Sequence, residues 1–295
     1  MSIVIGTNKS SLQAANYLSA NQTQLSNTLS ALSSGSRLTN PSTDSGGLAV
    51  SMQLTATANR DSALINTIAN AQSFLQTQNG ALQVATSIVD RISQLVTMSK
   101  DVTLTSTNTS NYNTEFTQLQ QELTTIIGAQ YNGISLFSTA AASPSLTVLS
   151  TNDLSTSNGI GIVQMNLGST SVGVGSIGVL ASTSTATTGG SGTTPGVNGY
   201  TSLTSITSSE ITSFVNTIAT FAATNGAEQS RLNFASQLAT NDRTSLEAAN
   251  SSISDTDIAQ ATTALAKWNV LVQAGTSMLT QANNSAQTVL KLITG

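Results

Sequence analysis

Residues 258–293 read IAQATTALAKWNVLVQAGTSMLTQANNSAQTVLKLI, and this stretch decides the fold. Ile258, Leu265, Val272, Leu279, Ala286 and Ile293 recur every seven residues. Ala261, Trp268, Gly275, Ala282 and Val289 follow three residues behind the first five. Such an a/d repeat marks a helix that lies along another helix. Leu271, Met278 and Leu292 widen the stripe on one flank, and Leu290 on the other. No proline interrupts the run, so the spacing predicts one helix of about 54 Å at 1.5 Å per residue. Its only charges are Lys267 and Lys291. A helix this long with so wide an apolar stripe needs a cover.

The natural cover is at the other end of the chain. Residues 10–34 carry Leu18, Leu25 and Leu32 at sevenfold spacing, with Leu12, Ala15 and Leu29 beside them and Lys9 as the only charge before Arg37. Gly35, Pro41 and the glycine pair within GSRLTNPSTDSGG (35–47) break this helix.

The helical pattern resumes over about 46–104 in three columns. Ile68, Leu75, Leu82, Val89 and Val96 form one; Phe74, Ala81, Ile88, Leu95 and Val102 a second. Leu64, Ala71, Ala85 and Ile92 form the third, with Gln78 as a polar interruption. A face that wide contacts two neighbours, which makes this helix central to a bundle. Residues 105–113, rich in Thr, Ser and Asn, read as a turn. A shorter helix follows with Tyr112, Phe116, Leu119, Leu123 and Ile126, ended by Gly128.

YNGISLF (131–137) changes the period, and Asn132-Gly133 is a hairpin signal. The Ser/Thr/Gly-rich stretch 138–205 holds short alternating runs, SLTVLS and GIGIVQM, which read as small strands, and a flexible loop at STSTATTGGSGTTPG. Helical spacing returns near 207 through Ile211, Ile218, Leu232, Ala239, Leu246 and Ile253, with Asn225 as a gap. A second column, Phe214, Phe221, Ala235 and Ala249, is interrupted by Glu228 and Asp242. NGAEQ (225–229) reads as a local break. SISDTD (252–257) reads as a stop and restart, capped by Ser254 or Asp255. The expected fold is mainly α: a long helical hairpin or coiled-coil bundle with a small β-rich middle insertion.

Composition excludes several function classes. The 295 residues include no Cys and no His, which removes disulfides, thiolate chemistry and the commonest general base and metal ligand. Charged residues make up 7%, against about 25% in average soluble proteins. The net charge of −4 argues against nucleic acid, which requires a basic face. Polarity rests on Ser, Thr, Asn and Gln, which cost less to desolvate than ions. The N-terminus lacks a cationic region followed by a long apolar core, so no cleaved signal peptide is expected. No run of eighteen apolar residues is present, so no membrane span is expected.

Two separated stretches resemble bacterial flagellin in the family's order. The first holds SLQAANYL, LSNTLSALSSGSRLTNPSTDSGGLAVS, QSFLQTQNGALQVATSIVDRISQLV and QYNGISLF. The second holds RLNFASQLATNDRTSLEAANSSISDTDIA and LVQAGTSMLTQANNSAQTVLKLI. The resemblance covers roughly 5–140 and 205–295. Departures lie at TDSGG and at Ser93 and Gln94, where many members carry charge. The resemblance implies an extracellular structural subunit that polymerises helically into the flagellar filament for swimming, exported unfolded through a narrow secretion channel. It assigns 1–36 with 256–295 to a terminal coiled-coil core domain, 37–140 with 205–255 to a helical body, and 141–204 to a small exposed segment.

The subunit interface would then use Leu18, Leu25, Leu32, Ile258, Leu265, Trp268, Val272, Leu279 and Ile293. Partners implied are further copies of the chain, a secretion chaperone at the C-terminal helix, and hook-junction and cap proteins. Arg91, Leu95 and Glu115 occupy positions resembling those sensed by an innate immune Toll-like receptor; packing between subunits is the reading ranked ahead of it. No catalytic residue, cofactor or metal is expected. The family's metallopeptidase variant needs two histidines on a helix. Asp153 is the lone acid within 138–205, and GIG (159–161) and GVG (173–175) read as turns. The competing readings are a hook–filament junction protein of the same architecture, separable by copy number per flagellum, and a non-flagellar helical bundle or adhesin.

Overall fold

A computed structural model describes residues 8–138, 145–151, 159–167 and 202–294. The loop at 182–196, Asp153 and residues 173–175 lie outside them. Among the described residues five long helices carry the fold: α1 Lys9–Ser34, α2 Ser45–Ser99, α3 Ser106–Ile127, α4 Ser208–Ser254 and α5 Ile258–Thr294. It divides into two compact units, Met1–Ala58 with Thr244–Gly295, and Asn59–Arg243. Both α2 and α4 contribute residues to each.

Most helix ends are set by local chemistry. The Asn8 side chain accepts from Ser11 N–H at the start of α1, and Gly35 ends it at φ 72. Asp44 caps α2, taking the Gly47 N–H at 2.7 Å. Thr207 and Glu210 form a reciprocal capping box at the start of α4: Thr207 N–H donates to Glu210 Oε2 at 2.7 Å and Glu210 N–H to Thr207 Oγ1 at 3.3 Å.

Four sequence expectations change here. Residues 106–113 are helical, because Thr105 caps α3 by accepting from Asn108 N–H; the turn is the shorter stretch before it. Val102 falls beyond the end of α2 and is 98% exposed, so it leaves its column. NGAEQ does not break α4, since buried partners hold its polar residues within the helix. The cap of α5 is Asp257 rather than Ser254 or Asp255: its carboxylate accepts from Ala259 N–H at 2.9 Å and Gln260 N–H at 3.2 Å. Gly128 does end α3, but in a right-handed conformation.

The unit Asn59–Arg243 holds the core. The first α2 column, Ile68 to Val96, is almost wholly buried, as are Phe116 and Leu123 of α3 and Ile218 and Leu232 of α4. Two small antiparallel hairpins lie against these helices. β1 (Gln130–Tyr131) pairs with β2 (Ile134–Ser135) through Asn132 and Gly133, at φ 51 and 79. Two left-handed residues in succession are what a two-residue hairpin turn demands. β3 (Ser145–Val148) pairs with β4 (Ile160–Val163), Leu146 opposite Ile162. Ile160 and Ile162 point inward and join Leu136, Phe137, Met165 and Leu167 in the helical core. Too poor in large apolar residues for a core of its own, the middle borrows that of the helices.

The polar interruptions of the helical columns meet one another. Gln78 and Asn225 are fully buried, and Asn225 Nδ2 donates to Gln78 Oε1 at 2.7 Å and to the Leu75 carbonyl at 3.1 Å. Gln78 Nε2 donates to the Leu136 carbonyl at 2.8 Å and the Val163 carbonyl at 3.3 Å. Glu228 Oε1 accepts the Val163 N–H at 3.1 Å, while its Oε2 is buried without a partner. Burial pushes the Glu228 carboxyl above the usual carboxylate range, opposed by the Val163 N–H and by Arg231. The network ties α2, α4 and both hairpin segments together.

Candidate assembly surface

In the unit formed by the chain ends, α1 and α5 run antiparallel. Asn8 Nδ2 donates to the Ala282 carbonyl at 3.0 Å, and Ser11 Oγ to Asn283 Oδ1 at 2.8 Å. At the other end Ser36 bridges Asp255, and Thr256 N–H donates to the Gly35 carbonyl at 2.9 Å. Arg37 closes this corner, its N–H and Nε donating to the carbonyls of Ser254 and Ile253 at 2.8 and 2.5 Å. Between these points Leu18 sits on Gly275: a Cβ built there would lie 3.2 Å from Leu18 Cδ1. The heptad glycine is where the two helices come closest.

Leu18 meets α5 at Gly275, and Leu18, Leu25, Leu32, Leu265, Trp268, Val272 and Leu279 are each only half-buried. Ile258 is exposed, and the Ile293 side chain lies outside the described residues. No residue of α1 is buried, and Ala261 is the single buried residue among the described side chains of α5. One helix covers only part of the other.

Beyond the seam large apolar side chains face outward. Tyr17 is 63% exposed, Val270 64% and Met278 65%, and Leu12 and Leu29 are exposed too. In the other unit Phe234, 70% exposed, and Leu238 form an exposed i, i+4 pair on α4. Sequence reading missed this pair because it lies off both buried columns; two large apolar residues four apart outside any column are the signal.

The terminal helices offer no chemistry of charge. Their charged residues are Lys9, Lys267 and Lys291, with no Asp or Glu among them. Lys267 Nζ lies 5.1 Å from the centroid of the Trp268 ring. Among the described residues no group of three or more His, Cys, Asp or Glu is placed to hold a metal ion.

Arg91, Leu95 and Glu115 do not form one exposed surface. Arg91 Nε donates to Glu115 Oε1 at 2.7 Å, with Gln94 Oε1 on Arg91 Nη1 at 3.1 Å. The hydrogen bond and charge of Glu115 raise the Arg91 pKa further. Leu95 is fully buried in the core, because its column faces the bundle while Arg91 faces water.

Comparison with known families accounts for this geometry. Residues 5–142 match the bacterial flagellin N-terminal helical region, and residues 209–293 match the bacterial flagellin C-terminal helical region. The chain belongs to the bacterial flagellin family. Both matched regions contain one of the terminal helices, α1 or α5. A flagellin of Listeria innocua is 28% identical over 294 residues, covering 98% of this chain and 99% of that protein. The flagellar filament 30.7 kDa core protein of Treponema maltophilum is 29% identical over 303 residues, covering 99% and 100%. Flagellin A of Vibrio cholerae is 32% identical over 126 residues, covering 43% of this chain and 33% of that protein. The chain is a structural subunit of the flagellar filament, the motility organelle's extracellular part. No helix among the described residues is long and apolar enough to cross a membrane.

Proposed function

We propose that the terminal pair, 1–36 with 256–295, forms the filament core by packing against the same pair in neighbouring copies. The single observation that carries this is the incomplete seam: α1 has no buried residue, and Tyr17, Val270 and Met278 face water. Leaving such side chains exposed forgoes about 1.5–3 kcal/mol each relative to burial. Leu18, Leu25, Leu32, Leu265, Trp268, Val272 and Leu279 hold the two helices together within a copy, and Ile258 and Ile293 extend the stripe at its ends. The helical body, 37–140 with 205–255, sets the spacing of copies, and the small segment 141–204 is anchored on that body through Ile160, Ile162, Met165 and Leu167.

The same exposed stripe is the target for a secretion chaperone before export. Hook-junction and cap proteins would engage the ends of the polymer through the same helices. The exposed Arg91–Glu115 pair supports contact with a neighbouring subunit or a Toll-like receptor, and Leu95 would act only by holding α2 in place. The filament has a structural role, without enzymatic activity.

Removing residues 256–295 tests the reading. The truncated chain is expected to keep its helical body by circular dichroism and to form no filaments in electron micrographs. Filaments of normal appearance from it would refute the proposal.

A further inference from the structure

Asn132-Gly133 sets a turn, and it also carries a chemistry that assembly does not use. In an Asn-Gly pair the glycine nitrogen follows directly on the asparagine side-chain amide, and no Cβ on the glycine hinders the approach of the two. The nitrogen can attack the amide carbon and close a five-membered ring. The chain has five such pairs, at 79–80, 132–133, 158–159, 198–199 and 225–226. As dipeptides they are equivalent. Asn158 and the pair at 198–199 lie outside the described residues, and the fold separates the other three.

Asn79-Gly80 lies inside α2 and Asn225-Gly226 inside α4. In a helix the side chain leans toward the N-terminus, while the next nitrogen lies toward the C-terminus and is held in the helical ladder. The ring cannot close there without unwinding a turn. Asn225 is locked further. It is fully buried, its Nδ2 donates to the Leu75 carbonyl and to Gln78 Oε1, and its Oδ1 accepts from Gln229 Nε2 at 2.5 Å. Asn132 and Gly133, by contrast, are both exposed at the tip of the β1–β2 hairpin. That hairpin pairs only Gln130 with Ser135 and Tyr131 with Ile134. A ladder this short is marginal by itself, so its tip opens locally at far lower cost than either helix. The base of the hairpin is fixed. Leu136 N–H donates to the Ala129 carbonyl at 3.0 Å, Gln164 Nε2 donates to the Ser135 carbonyl at 2.6 Å, and Tyr131 meets the Phe74 ring edge-on.

We propose that Asn132 is a site of spontaneous deamidation, and that its isoaspartyl product unlocks the β1–β2 turn. The Gly133 nitrogen gives its proton to hydroxide and attacks Asn132 Cγ. The new C–N bond closes a succinimide, and the side-chain nitrogen leaves as ammonia with a proton taken from water. A second water then adds to one ring carbonyl and breaks the C–N bond there. Opening at Cγ leaves aspartate at position 132; opening at the main-chain carbonyl leaves isoaspartate. In net terms one water is consumed and one ammonia released. Both products add a negative charge, and isoaspartate also lengthens the main chain by one carbon. A turn built from two successive left-handed residues has no room for that carbon. The proposal is independent of the filament-core reading.

The test is to age the full-length monomer in mildly alkaline buffer, native and in urea. Peptide mass spectrometry reads the amide-to-acid change at each pair, and protein isoaspartate methyltransferase with a labelled methyl donor counts isoaspartate. In urea the three pairs should convert within about threefold of one another, because unfolding removes what distinguishes them. In the native chain Asn132 should convert at least about tenfold faster than Asn79 and Asn225. As isoaspartate accumulates, the Leu136 amide should lose hydrogen-exchange protection while the amides of residues 68–96 keep theirs. Asn132→Gly retains a turn of the same type but has no side-chain amide to cyclise, so its Leu136 amide should stay protected through the same incubation. A native Asn132 as slow as the two helical pairs would overturn the proposal. So would three native pairs that all convert at the urea rate, or an isoaspartyl chain whose Leu136 amide stays protected.

Discussion

Replacing Gln78 by leucine should destabilise the unit Asn59–Arg243 by about 2–4 kcal/mol. Gln78 is fully buried, and its amide makes three hydrogen bonds: to Asn225, to the Leu136 carbonyl and to the Val163 carbonyl. Leucine fills a similar volume but orphans those groups. A buried orphan costs about 1–3 kcal/mol, reduced here because Asn225 keeps the Leu75 carbonyl. Asn225→Leu orphans Gln78 Oε1, at a cost of about 1–3 kcal/mol. In the double variant the Gln78–Asn225 bond is lost once rather than twice, so the two costs should fall short of additivity by about 1–2 kcal/mol. The assay is urea unfolding of the monomer by far-ultraviolet circular dichroism, with hydrogen exchange of α2 amides to localise the loss. Tryptophan fluorescence would miss it, because Trp268, the sole tryptophan, belongs to the other unit. Single variants within about 0.5 kcal/mol of wild type, or strict additivity, would refute the view that these two residues form one coupled lock.

Glu228 gives a pH dependence of opposite sign to ordinary acid unfolding. Burial raises its folded pKa above the ordinary carboxylate range, so its ionisation opposes folding at neutral pH. That penalty is relieved as pH falls through the folded pKa toward the ordinary carboxylate value. Glu228→Gln should abolish this component, read as the difference between wild-type and variant melting across pH 4.5–8; parallel profiles would contradict it. Gly275→Ala should shift seam stability by less than about 1 kcal/mol, because the gain in helix propensity opposes a small displacement of Leu18. Gly275→Leu should part α1 from α5, seen as a red shift of Trp268 emission and loss of assembly. Amides of α1 and α5 should exchange rapidly in the monomer and slowly in the filament, while those of residues 64–96 stay protected in both. Strong protection of the ends in a verified monomer would show that the two helices suffice for each other.

The helices were legible because their signal is local. Sevenfold spacing from Ile258 to Ile293 and the leucines of residues 10–34 state, without any partner in view, that each helix has one apolar side. The hairpin at Asn132-Gly133 was legible for the same reason, since two adjacent residues set the turn. Even so, spacing read Val102 as part of a column, because periodicity does not reveal where α2 stops. The cap of α5 was misplaced by two or more residues, because several acids and hydroxyls in SISDTD satisfy the same local rule.

Tertiary structure alone decided what the polar gaps were for. Gln78, Asn225 and Glu228 each looked like a flaw in its own helix; 147 positions separate Gln78 from Asn225, and only folding makes them partners. It also decided that Arg91 pairs with Glu115 of another helix, and that the hairpins borrow the helical core. The physical reason is range. Backbone geometry and side-chain period act over a turn or two, so one sequence states them. Hydrogen-bond partners and burial are fixed by what arrives from elsewhere in the chain.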